Sequence, residues 1–185
     1  MLKKNIPVRE VIFGLEDGAV STLGILVGVA AGTNNRFFVI LSGLVVIFVE
    51  SLSMAAGTYL SNKSELEIQA ARSRPSLLRK ILFHNSPKKP STSPIKESGY
   101  MGLSYIIGGF VSLVSFFFLP PSLAVISAVL LSLTFLFLVG FLKGRISQTS
   151  SFKSGLEMMT VSALASFVGF VIGKLAASIL NTFPF

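Results

Sequence analysis

The stretch FFVILSGLVVIFVESLSMAAGTYL, Phe37 to Leu60, decides the fold class. It holds 24 residues and one ionisable carboxylate, Glu50. As a helix it rises about 36 Å, enough to cross a hydrocarbon core of about 30 Å. The apolar residues form one long block, which points to a lipid-embedded helix.

Working outward, four more blocks have spanning length. Span 1 covers Val11 to Gly32, and the stretch above is span 2. Span 3 covers Met101 to Leu119, span 4 Ser122 to Leu142, and span 5 Gly155 to Leu180. The expected fold is therefore an all-α integral membrane protein with five transmembrane helices. It divides into residues 1–60 (tail and spans 1–2), a basic linker 61–100, and residues 101–185 (spans 3–5). Thr33-Asn34-Asn35-Arg36 and Pro120-Pro121 read as tight turns. Ser64 to Arg72 can prolong span 2 as helix until Pro75 interrupts it. Ser76 to Phe83 pairs apolar and basic residues at helical spacing, the pattern of a surface helix. Pro87 to Pro94 reads as coil.

Composition agrees. Of 185 residues, 13% are charged and 51% hydrophobic, where a soluble domain carries about 25% charged residues. The net charge of +8 would suit nucleic acid in a soluble protein, but the basic residues lie between the apolar blocks, so topology and anionic lipid account for them. Lys3, Lys4 and Arg9 precede span 1. Lys63, Arg72, Arg74, Arg79, Lys80, Lys88, Lys89 and Lys96 fill the linker, and Lys143, Arg145 and Lys153 the last loop. Only Arg36 falls on the opposite side, with Lys174 inside span 5. The positive-inside rule then expects a cytosolic N-terminus and an external C-terminus. The first span reads as a retained helix. Without an evident organellar signal, the expected location is a prokaryotic plasma membrane.

The chain has no cysteine, which excludes disulfides, thiolate zinc sites and Cys-ligated clusters. Its one histidine, His84, has no second histidine to chelate with. No P-loop is present. No enzymatic activity and no resident cofactor are expected.

Ionisable groups within a span cost about 2.5–3.5 kcal/mol at a helix centre and need partners, water or a function. Glu16, Asp17 and Glu50 qualify. Adjacent Glu16 and Asp17 project about 100° apart, so only one points squarely into a given path. Asp17 leads a face continuing through Ser21, Gly24, Gly28 and Gly32. Both acids also read as near-surface groups. Glu50 lies about 15 Å from the cytosolic helix end, too deep to reach water easily. Glu50, Met54 and Thr58 share one face at four-residue spacing. A carboxylate and a thioether on one stripe suit a divalent ion softer than Mg²⁺ or Ca²⁺; ordinary packing is the other reading of Met54. Glu157, near the cytosolic start of span 5, reads as interfacial. Lys174 reads as snorkelling outward, or as a counter-charge to Glu50. Small residues at Gly24, Gly28 and Gly32, at Ser51 to Gly57, and at Ala165, Gly169, Gly173 and Ala177 predict close helix contacts, within the chain or between subunits.

The segment REVIFGLEDGAVSTLGILVGVAAG, residues 9–32, with SLSMAAGTYLS, residues 51–61, resembles the vacuolar iron transporter family, which includes nodulin-21-like proteins. The resemblance rests on Asp17, Gly18, Val20, Ser21 and Gly24 in span 1. In span 2 it rests on Glu50, Ser53, Met54, Ala55, Ala56 and Gly57. It implies a five-span homodimer exporting Fe²⁺ or Mn²⁺ from the cytosol in exchange for protons, with Asp17, Glu50 and Met54 lining a path between subunits. Thr58 stands where many members carry a carboxylate. The linker lacks the glutamate-rich cytosolic domain many members have, holding only Glu65, Glu67 and Glu97. The metal-site set expected is Asp17, Glu50, Met54, Thr58 and Glu16. Its partners are the metal ion, the bilayer and a second copy, with no nucleic acid. The rival readings are a non-transporting assembly or regulatory protein of the same fold, and a passive channel.

Overall fold

The computed structural model describes residues 6–72 and 93–182. It contains α1 (Val8–Thr33), α2 (Arg36–Arg72), α3 (Pro94–Leu113), the short α4 (Ser115–Phe118), α5 (Pro121–Ile146) and α6 (Ser151–Thr182). Among the described residues there is no strand. Five helical stretches are long and apolar enough to cross a membrane, with α3 and α4 acting as one span. The surface-helix segment Ser76 to Phe83, and all of the coil Pro87 to Pro94 except its last two positions, lie outside the described residues.

The two tight turns form for local reasons. Asn34 ends α1 in the left-handed region, φ 47°, which asparagine tolerates, and its N–H donates to the Ala30 carbonyl at 2.9 Å. The Asn35 side chain accepts the Phe37 N–H at 2.9 Å and caps α2. Arg36 then reaches across to the end of the third span. Its Nε donates to the Phe116 carbonyl at 2.7 Å, and a second guanidinium nitrogen donates to the Phe117 carbonyl. These carbonyls would otherwise be left over at a helix end. This face of the bundle, with the Asn34-Asn35 and Pro120-Pro121 turns, is the turn end; the other is the basic end.

At the basic end both long helices outrun their apolar cores. α2 continues to Arg72, with Lys63 and Glu67 paired at 3.9 Å one turn apart. α3 begins at Pro94 rather than at Met101. Ser93 caps it by accepting the Lys96 N–H at 3.4 Å, and Pro94 fills the first helical position. Hydropathy locates the part inside lipid; caps locate the helix. The Asn62 side chain bonds that of Glu97 and ties the two extensions together.

α1 is the central helix and packs against α2, α3, α5 and α6. Small residues permit this. A Cβ on Gly18 would overlap the Tyr105 carbonyl and stand 2.9 Å from its Cα, so only glycine lets α3 approach there. A Cβ on Gly28 would stand 2.9 Å from the Gly169 carbonyl oxygen of α6. The Gly24-Gly28-Gly32 row therefore meets the Ala165-Gly169-Gly173 row within one chain. Leu23, Leu26, Ile47, Leu113 and Phe116 close the core.

α2 is different. Phe37, Leu41, Val45, Phe48 and Leu52 are exposed along it, a face that water would not tolerate and that lipid or another chain would cover.

Candidate functional site

The candidate acidic residues sit on α1 and α2, and α3 packs against both helices. Asp17 is half-buried. Ser21, one turn further, donates its hydroxyl to Asp17 Oδ1 at 3.1 Å. Gly18 brings the α3 backbone against α1 at this level, which seats Tyr105 beside Asp17. Tyr105 is fully buried. Its ring lies within electrostatic reach of both Asp17 and Glu50, next to the hydroxyls of Ser21 and Thr22. Neither the Tyr105 hydroxyl nor Thr22 Oγ1 has a hydrogen-bond partner at standard geometry. The hydroxyls of Tyr105, Ser21 and Thr22 thus form a small polar cluster in an apolar core.

Glu50 is exposed on α2. Ser51, the next residue, is buried and turns toward α3, where the Gly102 position lies against Ser51 and Ala55. Met54 and Thr58, which follow Glu50 at one-turn intervals, are half-buried at the edge of that contact. Ser53, Ala56 and Gly57 are exposed. The Glu50 stripe thus borders the α2–α3 seam and opens away from the chain's own core.

Glu16 is half-buried and lies within electrostatic reach of Lys143 of α5 as well as of its neighbour Asp17. Asp17 and Glu50 thus both lie within electrostatic reach of Tyr105, Met54 and Thr58 follow Glu50 half-buried along α2, and Glu16 lies within reach of Lys143 of α5 and of Asp17. Among the described residues, no three His, Cys, Asp or Glu side chains converge to hold a metal.

Ser21, Gly24, Gly28 and Gly32 also line an open apolar groove of about 820 Å³ between α1 and α6. Lys174 does not reach Glu50. It lines a separate cavity at the turn end, with Asn34 and Ser122.

Sequence reasoning missed Tyr105 and the nearness of Lys143 to Glu16. A tyrosine inside an apolar span was the available signal for the first, because its hydroxyl needs a partner. Lys143 gave no such signal; it sat among loop cations.

A sequence model described as the VIT family matches residues 8–79 and 73–174. The chain is 23% identical over 216 residues to vacuolar iron transporter 1 of Eucalyptus grandis, covering 92% of this chain and 87% of that protein. It is 30% identical over 173 residues to an uncharacterized protein of Methanocaldococcus jannaschii, covering 90% and 88%. Vacuolar iron transporter 1 of Arabidopsis thaliana is 22% identical over 212 residues, covering 90% and 85%.

Proposed function

The chain belongs to the VIT family, and from that premise we propose that it is a metal transporter moving Fe²⁺ or Mn²⁺ out of the cytosol by proton antiport, along a path between two copies of the chain. The observation that carries this reading is the exposure of Glu50 in the apolar stretch of α2. A carboxylate in that position facing acyl chains would be costly. The same carboxylate facing a second copy gains a water-filled, cation-holding environment.

In each chain Asp17 and Glu50 both lie within electrostatic reach of Tyr105. A pair of chains would contribute four carboxylates, two Met54 thioethers and two Thr58 hydroxyls. Carboxylate oxygens are hard donors and a thioether is soft, a mixture suited to Fe²⁺ and Mn²⁺ rather than to Mg²⁺ or Ca²⁺. Carboxylates gathered in a path of low dielectric repel one another unless cations balance them. Metal and protons then compete for the same oxygens, which is a physical basis for exchange. Glu16 would act at the cytosolic mouth, with Lys143 beside it.

The test is uptake of Mn²⁺ and Fe²⁺ into liposomes carrying the full chain and an internal metal-sensing dye, with and without a proton gradient. Wild type is expected to take up metal faster with the gradient. Glu50→Gln, folded by helicity and elution profile, is expected to fall roughly a hundredfold or to background. Full uptake by Glu50→Gln would refute the path, and gradient-independent uptake would replace the antiporter by a passive channel.

A further inference from the structure

At the turn end, a cavity of about 440 Å³ lies between α1, α5 and α6, remote from the acidic residues. Its rim is polar: Asn34 ends α1, Ser122 stands in the first turn of α5, and Lys174 comes from α6. Its floor is apolar, formed by Val27, Val125 and Phe170. Val27 lies about 10 Å below Asn34 along α1, and Phe170 one turn below Lys174. The lining therefore grades from polar to apolar over roughly 10 Å, as a bilayer does from headgroup to acyl chain.

The charge at this end is unbalanced. The acidic residues are Glu10, Glu16, Asp17, Glu50, Glu65, Glu67, Glu97 and Glu157; all but Glu50 belong to the basic half of their helices, and Glu50 is mid-helix. Arg36 is engaged by the carbonyls of Phe116 and Phe117. Lys174 has no carboxylate partner among the described residues. Its ammonium does not stretch outward past the turn end. It lies back over Phe170, 5.9 Å from the ring centroid, on the side of the helix start, where α-helical side chains lean. Simple snorkelling would carry the ammonium the other way, toward water.

We propose that this cavity binds the phosphate of an anionic phospholipid. Lys174 supplies the counter-charge, and the Asn34 amide and Ser122 hydroxyl supply further donors. The upper acyl chain lies against Val27, Val125 and Phe170. The apolar floor favours a lipid over a free phosphate ion, which would leave that surface uncovered. This site is independent of the metal path, and its failure would leave the transport reading untouched.

The experiment is native mass spectrometry of the full chain, delipidated in detergent and titrated with phosphatidylglycerol, with diacylglycerol, and with inorganic phosphate as competitor. Wild type is expected to retain phosphatidylglycerol, and Lys174→Met to hold it about tenfold more weakly. Lys174→Arg should keep most of the binding. Asn34→Ala and Ser122→Ala, which leave the charge in place, should show smaller graded losses, so the proposal stays testable if Lys174→Met misfolds. Equal retention by wild type and a folded Lys174→Met, or equal retention of diacylglycerol and phosphatidylglycerol, would overturn the site. Displacement of the lipid by millimolar inorganic phosphate would overturn the lipid assignment in favour of a small-anion site.

Discussion

α1 and α2 each carry an acidic residue of the proposed path, yet their surroundings differ. α1 is enclosed by its own chain. Gly18 meets the backbone of Tyr105, Gly28 meets Gly169, and Asp17 receives a hydrogen bond from Ser21. α2 is covered on one side only, and Glu50 stands on the uncovered side without a hydrogen bond or ion pair among the described residues. The contrast separates two kinds of constraint. Folding fixes α1, because small residues there are required by backbone contact. On the exposed stripe of α2 packing sets no such demand: among the described residues nothing pairs with the Glu50 carboxylate, which is why the proposed path is placed there.

The contrast can be broken in several places. The largest effect on stability is expected at Gly18. Gly18→Leu would push a side chain into the Tyr105 backbone, which cannot move away as a flexible side chain could. Overpacking of this kind costs about 1–3 kcal/mol and occasionally more, so thermal unfolding in detergent should begin well below that of wild type. Ser53→Leu, on the exposed stripe of α2, should leave the unfolding temperature of a detergent-isolated single chain unchanged. Equal losses in both variants would erase the distinction between the helices.

Tyr105 sharpens the comparison where the two helices meet. Its buried hydroxyl makes no hydrogen bond of standard geometry, with those of Ser21 and Thr22 close by. Tyr105→Phe removes that hydroxyl and should change stability by no more than about 0.5 kcal/mol. If that hydroxyl meets the ion or its water, the same variant should slow metal uptake several-fold. Unchanged uptake would reduce Tyr105 to a packing residue. The smallest effect is expected at Glu16, whose charged neighbours are Lys143 and Asp17 rather than Glu50. Glu16→Gln should alter uptake by no more than about twofold, since it removes one partly exposed charge with no close ion-pair partner among the described residues. A loss as deep as that of Glu50→Gln would move Glu16 into the centre of the path.

Much of this architecture was legible in the sequence. Block length and hydropathy located the five spans, and Asn34 and Asn35 marked the first turn. The reach of α2 to Arg72 was readable from its helix-forming residues after Leu60. The early start of α3 was not read from hydropathy, because Ser93 and Pro94 act through capping, outside the apolar block. Small-residue rows announced close packing but not their partners: four-residue spacing is the same whether a row meets α6 of its own chain or a second copy. Asp17 and Glu50 stood out because charge in a span is rare. Tyr105 did not, since its place beside them depends on how closely Gly18 admits α3, a tertiary fact. Nor does sequence periodicity show which side of α2 is left bare.

The central claim is that a second copy covers the Glu50 face of α2. The chain has no cysteine, so single cysteines can be introduced and cross-linked in native membranes with a short bis-maleimide. Ser53→Cys stands on the exposed side of α2 about one turn from Glu50, and Ile126→Cys stands on an exposed face of α5. The account predicts efficient cross-linking of two full-length chains through Ser53→Cys and little through Ile126→Cys. Monomeric Ser53→Cys in a protein that still takes up metal would contradict it, and the path would then have to run within a single chain.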